Sequence, residues 1–163
     1  PIENFPDEKW DSIIAINLSA AFHSIKAAIP GMKKRNFGRI INVASAHGLV
    51  ASGEKSAYVT SKHGLIGLTR VVAIETGDHD ITVNAICPGW VNTPLVQKQI
   101  KDRAAISGKS GKEEEKALIK EKQPKPQFTE VEDIAGMVVF LCSPPAHNMT
   151  GAAISMDGGW TVQ

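Results

Sequence analysis

RIINVAS at residues 39–45 and ITVNAIC at residues 81–87 decide how this chain folds. Each is a short apolar run rich in β-branched residues, the composition of a strand buried on both faces of a parallel sheet. Between them, Ser56 to Glu75 reads as one long helix that stops at Gly77, where a glycine suits a helix end. Strand, helix and strand in that order form a βαβ unit, which implies a parallel sheet covered by helices.

Upstream, Pro6-Asp7-Glu8 reads as a helix start, with acids in the first turn. Trp10, Ile13, Ile14, Ile16, Leu18, Ala21, Phe22, Ile25 and Ile29 then recur at helical spacing, and Pro30-Gly31 is expected to close the helix. Downstream, residues 94–126 are polar, charged and helical in tendency, and lead into the extended QPKPQF. Such a shift inside one domain reads as a lid over a substrate. Glu130 to Cys142 is a further helix with Ile134, Val138 and Leu141 on one face, and Ala153 to Met156 is a last strand. The expected fold is α/β: a single domain over 1–163, the later half of a doubly wound, parallel-sheet Rossmann-like fold, with three strands and at least four helices.

The bulk numbers exclude several classes. A length of 163 residues fits one domain, and 42% apolar residues suffice for a core. A net charge of +1 points neither to nucleic acid nor to an acidic tail. Cys87 and Cys142 lack CxxC spacing and read as reduced thiols in or near the core. His23, His63, His79 and His147 have no ligand spacing, so no metal site is expected. No apolar run approaches the ~20 residues a membrane span needs. The opening PIENFP has no Met and reads as a segment entered mid-fold, so any targeting signal would lie upstream.

The sharpest chemical feature is Tyr58-Val59-Thr60-Ser61-Lys62. Tyr and Lys at i and i+4 share one helix face. A free tyrosine titrates near pH ~10, too high for a base at neutral pH. An ammonium about 5 Å away, at an effective dielectric of ~20, favours the phenolate by roughly 3 kcal/mol and suits it to proton transfer. Ser45 ends the first strand, and ligands of open α/β sheets bind beyond the carboxyl ends of strands. Ser45 as hydrogen-bond donor and Tyr58 as acid/base can therefore face one carbonyl. The second strand ends in a loop, Cys87 to Pro94, beside the same edge, and Asn17 is a helix-interior amide that propensity alone does not favour.

Five motifs in order, Asn17-Leu18-Ser19-Ala20-Ala21-Phe22, Arg39 to Ser45, Tyr58-x-x-x-Lys62, Asn84-Ala85-Ile86-Cys87-Pro88-Gly89 and Asp157-Gly158-Gly159, resemble those of the short-chain dehydrogenase/reductase family. The resemblance spans essentially the whole chain. It implies that Ser45 polarises a carbonyl, that Tyr58 exchanges the proton and that Lys62 makes the phenol more acidic and binds the nicotinamide ribose. It further implies that Asn17 holds a relay water and that Pro88, Gly89, Val91 and Thr93 meet the nicotinamide end of NAD, with NADP not excluded. His47, Lys55, Trp90 and Gln99, with their flanking residues, resemble those of family members that oxidise (R)-3-hydroxybutyrate to acetoacetate. In these, residues matching His47, Lys55 and Gln99 hold the substrate carboxylate, and the match to Trp90 packs on the methyl end. A Lys cation with neutral donors suits a carboxylate.

The same resemblance implies a cytoplasmic homotetramer acting on a small hydroxy acid, with no nucleic-acid or membrane partner. The family's Gly-rich pyrophosphate turn does not occur in these residues. The chain is thus expected to be the carboxyl-terminal part of a longer domain, weak in cofactor binding on its own. Two rival readings are a reductase of a 3-oxoacyl thioester or polyol, and a module that only oligomerises.

Overall fold

A computed structural model describes residues 1–163. Helices α1 (Asp7–Ile14) and α2 (Ala20–Lys34) are joined without a break by a π turn at Ala15–Ser19. Strand β1 (Gly38–Val43) follows, then α3 (Ser56–Glu75) and β2 (Ile81–Pro88). Next come α4 (Pro94–Ser107), α5 (Gly111–Lys120), α6 (Val131–Leu141) and β3 (Ala153–Met156). The three strands form one parallel sheet in the order β1-β2-β3. All three therefore end at the same edge, which is where the loops bearing Ser45, Gly89 and Asp157 gather.

The central strand is buried along its whole length. Helix α3 crosses it and feeds two core clusters, Val72 and Ala73 with Ile25, Ile81 and Val83, and Leu65 and Ile66 with Ala44, Ala85 and Cys87. Each buried Val, Leu or Ile among them contributes about 1.5–3 kcal/mol. Leu18 of the π turn packs on the second cluster, which seats the long helix against the chemical end of the sheet. Buried amides pin what lies around the core. Asn42 donates to Thr69 Oγ1 at 2.8 Å, while Asn84 donates to the Met149 carbonyl at 2.6 Å and accepts from the Ala152 amide at 3.1 Å.

Four expectations need correction. The first long helix runs through Pro30 to Lys34. A proline removes one backbone donor, and at an exposed position the helix tolerates that. The true stop is Asn36, with φ of +49°, where Asn36 N–H bonds Lys33 O and Phe37 N–H bonds Met32 O at 3.1 Å each. That is a Schellman ending. Strand β1 is not buried on both faces: Val43 is 50% exposed and Ile41, on the same face, is only half-buried. Cys87 is buried as expected, but Cys142, just past α6, is exposed. Finally, Asp7–Lys34, at 28 residues, is long and apolar enough to cross a membrane by length and composition, although charges interrupt every apolar run in it. A helix that packs on other protein surfaces meets the same criterion.

The span 94–126 forms a helical hairpin, α4 and α5, followed by an irregular segment. The Arg103 guanidinium staples it, bonding Glu114 at 3.2 Å and Glu121 at 2.5 Å. Ser110 and Glu113 form a reciprocal capping box at the start of α5.

Candidate active site

Strand β1 delivers Ser45 in extended backbone at its carboxyl end. The side chain caps a 3-10 turn, Ala46–Gly48, and its Oγ accepts the His47 amide at 3.1 Å. The Ser45 hydroxyl proton has no acceptor within the protein and is free to donate outward. Gly48 lets this turn press onto α3: a Cβ there would lie 2.9 Å from the Lys62 carbonyl oxygen and 2.7 Å from Ile66 Cδ1.

Helix α3 places Tyr58 in its first turn and Lys62 one turn later. Lys62 Nζ lies 5.6 Å from the Tyr58 ring centroid and donates to the Val43 carbonyl at 2.9 Å. The ammonium is buried, and burial pushes its pKa down. One of its three N–H donors is used by Val43, which leaves two for a polar ligand.

His47 joins the two elements. It is 5% exposed, its Nε2 lies 3.0 Å from Ser52 Oγ, and its ring stands edge-on to Tyr58 at 5.8 Å between centroids. Burial, then the charges of Lys55, Lys122 and His63, lower its pKa to about 4. At neutral pH it is therefore an uncharged imidazole, with one donor and one acceptor nitrogen.

On the far side of His47 stands Trp160, edge-on at 4.9 Å, and Trp90 lies 6.0 Å beyond Trp160. The two indoles give the site an apolar wall. The Trp90 indole N–H is buried without an acceptor. Pro88 ends β2, the Gly89 amide bonds Met156 O at 3.0 Å, Val91 bridges Thr129, and Thr93 Oγ1 caps α4. These four residues line the same sheet edge as Ser45.

The structure thus brings Ser45, His47, Tyr58, Lys62 and Trp90 together. It does not join the other three predicted residues to them by hydrogen bonds. Asn17 lies in the π turn and donates to Ile13 O at 3.1 Å. Lys55 is exposed at the start of α3 and reaches the site only through its charge on His47. Gln99 is exposed on α4. Sequence reading missed Trp160 and Gln123. The first follows Asp157-Gly158-Gly159, but its packing on His47 joins loops far apart in sequence; the second carries no local signal.

Comparison with known proteins shows what the chain as a whole is similar to. Residues 1–161 match a family model described as enoyl-(acyl carrier protein) reductase. The chain is 54% identical over 162 residues to a D-beta-hydroxybutyrate dehydrogenase of Cupriavidus necator, covering 99% of this chain and 63% of that protein. It superposes on the solved structure of an actinorhodin polyketide ketoreductase variant with NADPH with a TM-score of 0.89 at 31% identity, covering all of this chain and 63% of that one. A 4-hydroxyisoleucine dehydrogenase complexed with NADH and succinate gives a TM-score of 0.84 at 32% identity, covering all of this chain and 63% of that one.

Proposed function

The chain belongs to the short-chain dehydrogenase/reductase family, and from that premise we propose that the intact protein oxidises (R)-3-hydroxybutyrate to acetoacetate with NAD. The observation that carries this reading is the unbroken series of contacts Ser45–His47–Tyr58–Lys62 at the carboxyl edge of the sheet.

NAD, when bound, supplies the hydride acceptor. Tyr58, Lys62, Pro88, Gly89, Val91 and Thr93 would hold its nicotinamide end. The fit rests on Lys62, a buried ammonium with two unused donors, which ribose hydroxyls would satisfy. The likeness to proteins solved with NADH and NADPH supports a nicotinamide cofactor of either kind.

The chain's own groups do the rest. Ser45 donates its free hydroxyl proton to the substrate oxygen and fixes it. Tyr58 takes the proton from the same oxygen, and the nearby Lys62 charge stabilises the phenolate that results. Asn17 passes the proton on through water. Lys55, His47 and Gln99 receive the carboxylate, with His47 as a neutral donor. Trp90 packs on the methyl end. Residues 94–126 act as the lid that brings Gln99 in. Exposed Phe22, Val71 and Ile74 on α2 and α3 support assembly as a homotetramer, and the family resemblance supports a cytoplasmic setting.

The test is NADH formation by the intact protein with each enantiomer of 3-hydroxybutyrate. Oxidation of the (R) form alone, weakened through KM by Lys55→Ala, is expected. Activity confined to a 3-oxoacyl thioester, untouched by Lys55→Ala, would replace this reading with the ketoreductase one.

A further inference from the structure

We propose that Gln123 is a positioning residue that sets the length of acyl chain the site accepts, by fixing the backbone of Trp90. This rests on the reading of Trp90 as the wall at the methyl end.

Gln123 follows α5 and is 1% exposed. A glutamine is fully buried only when both ends of its amide are satisfied. Here Oε1 accepts the Trp90 amide at 2.6 Å, and Nε2 donates to the Gln127 carbonyl at 3.0 Å. The Trp90 carbonyl is also taken, by the Thr129 amide at 2.9 Å. Both polar ends of the Trp90 peptide are thus held by residues 123–129, the segment that follows the α4–α5 hairpin.

Two glycines clear the space that the amide fills. A Cβ at Gly158 would lie 2.6 Å from Gln123 Nε2, and one at Gly89 would collide with Gln123 Oε1. The Gln123 backbone is tied in turn: its amide bonds Ile119 O at 2.8 Å, and Gln163 Nε2 donates to the neighbouring Lys122 carbonyl at 2.7 Å. Three loops, those after β2, after β3 and after α5, therefore meet at one amide group. The Trp90 ring faces Trp160, which faces His47. A shift of the Trp90 peptide changes the distance between the apolar wall and the carboxylate-binding end, and that distance selects chain length.

The experiment uses the intact protein with Gln123→Met, which keeps length and removes both hydrogen bonds, and Gln123→Glu, which keeps the acceptor for Trp90. NAD reduction is measured with four- and six-carbon (R)-3-hydroxy acids. Tryptophan emission is recorded in a Trp10→Phe background, where Trp90 and Trp160 are the tryptophans of these residues that report.

For Gln123→Met, kcat/KM for the four-carbon acid is expected to fall about tenfold, mostly through KM, and the six-to-four-carbon preference to rise about fivefold. KM for NAD should hold, and emission should shift. Gln123→Glu should stay closer to the parent in chain-length preference. An equal loss on both acids, or an unchanged emission spectrum, overturns the proposal. If the parent protein oxidises no 3-hydroxy acid, the substrate reading falls by itself, and emission alone decides the role of Gln123. Should Gln123→Met not fold, Gln123→Asn, shorter by one methylene, takes its place with the same readouts.

Discussion

The imidazole of His47 meets the indole of Trp160 edge-on, with ring centroids 4.9 Å apart. This contact reaches across the central strand and ties the loop after β1 to the turn after β3. The aromatic edge also holds a neutral imidazole in place without charge. Trp160 is 8% exposed, so Trp160→Ala should cost about 3–5 kcal/mol of stability. It should also raise KM for a short hydroxy acid. Urea unfolding and steady-state rates check the two effects separately.

His47 makes stability depend on pH. Its pKa is about 4 in the fold against 6.5 when unperturbed. Between those values the unfolded chain binds a proton that the folded one refuses, so stability rises with pH across that window. The difference is roughly 3 kcal/mol, fully present above about pH 6.5 and lost as pH falls toward 4. Melting curves between pH 4 and 7 should show this slope, and His47→Gln should flatten it.

Gly48 presses the Ser45 loop onto α3. In Gly48→Ala the added Cβ would meet the Lys62 carbonyl at 2.9 Å, a backbone atom that cannot rotate away. Overpacking of this kind costs about 1–3 kcal/mol. Ser45 would move relative to Tyr58, so kcat should drop by more than tenfold, since misplacement near 1 Å can cost about a hundredfold. Calorimetry and initial rates test this together.

Tyr58→Phe removes the group assigned to the proton while keeping the ring against His47. Loss of general acid/base catalysis is worth about 10²–10⁴ in kcat. The folded state should change little. A kcat within threefold of the parent would remove Tyr58 from the proton step.

Much of this fold was legible because hydrophobic period and turn residues agree along it. RIINVAS, the helix at 56–75 and ITVNAIC lie within one or two residues of β1, α3 and β2. Pro30 misled because a rule about helix interiors weakens where the helix is exposed. Val43 misled because composition reports a strand's usual surroundings, and here one face of β1 is thinly covered at its carboxyl end. Of the residues gathered at this edge, Ser45, Tyr58 and Lys62 were picked out from local motifs, and His47 and Trp90 from the family resemblance. Trp160 and Gln123 were not, because their roles come from loops far apart in sequence meeting beyond the sheet.

The side of β1 away from β2 is bare. Its backbone amides and carbonyls face no strand, and Ile40 and Ile41 beside them are only half-buried. Such an edge is adhesive. Produced by itself, this polypeptide would recruit any extended segment that can lie alongside Gly38–Val43, whether a complementing strand or another copy. Its shelf life in solution therefore depends on what fills that seam before a stranger does.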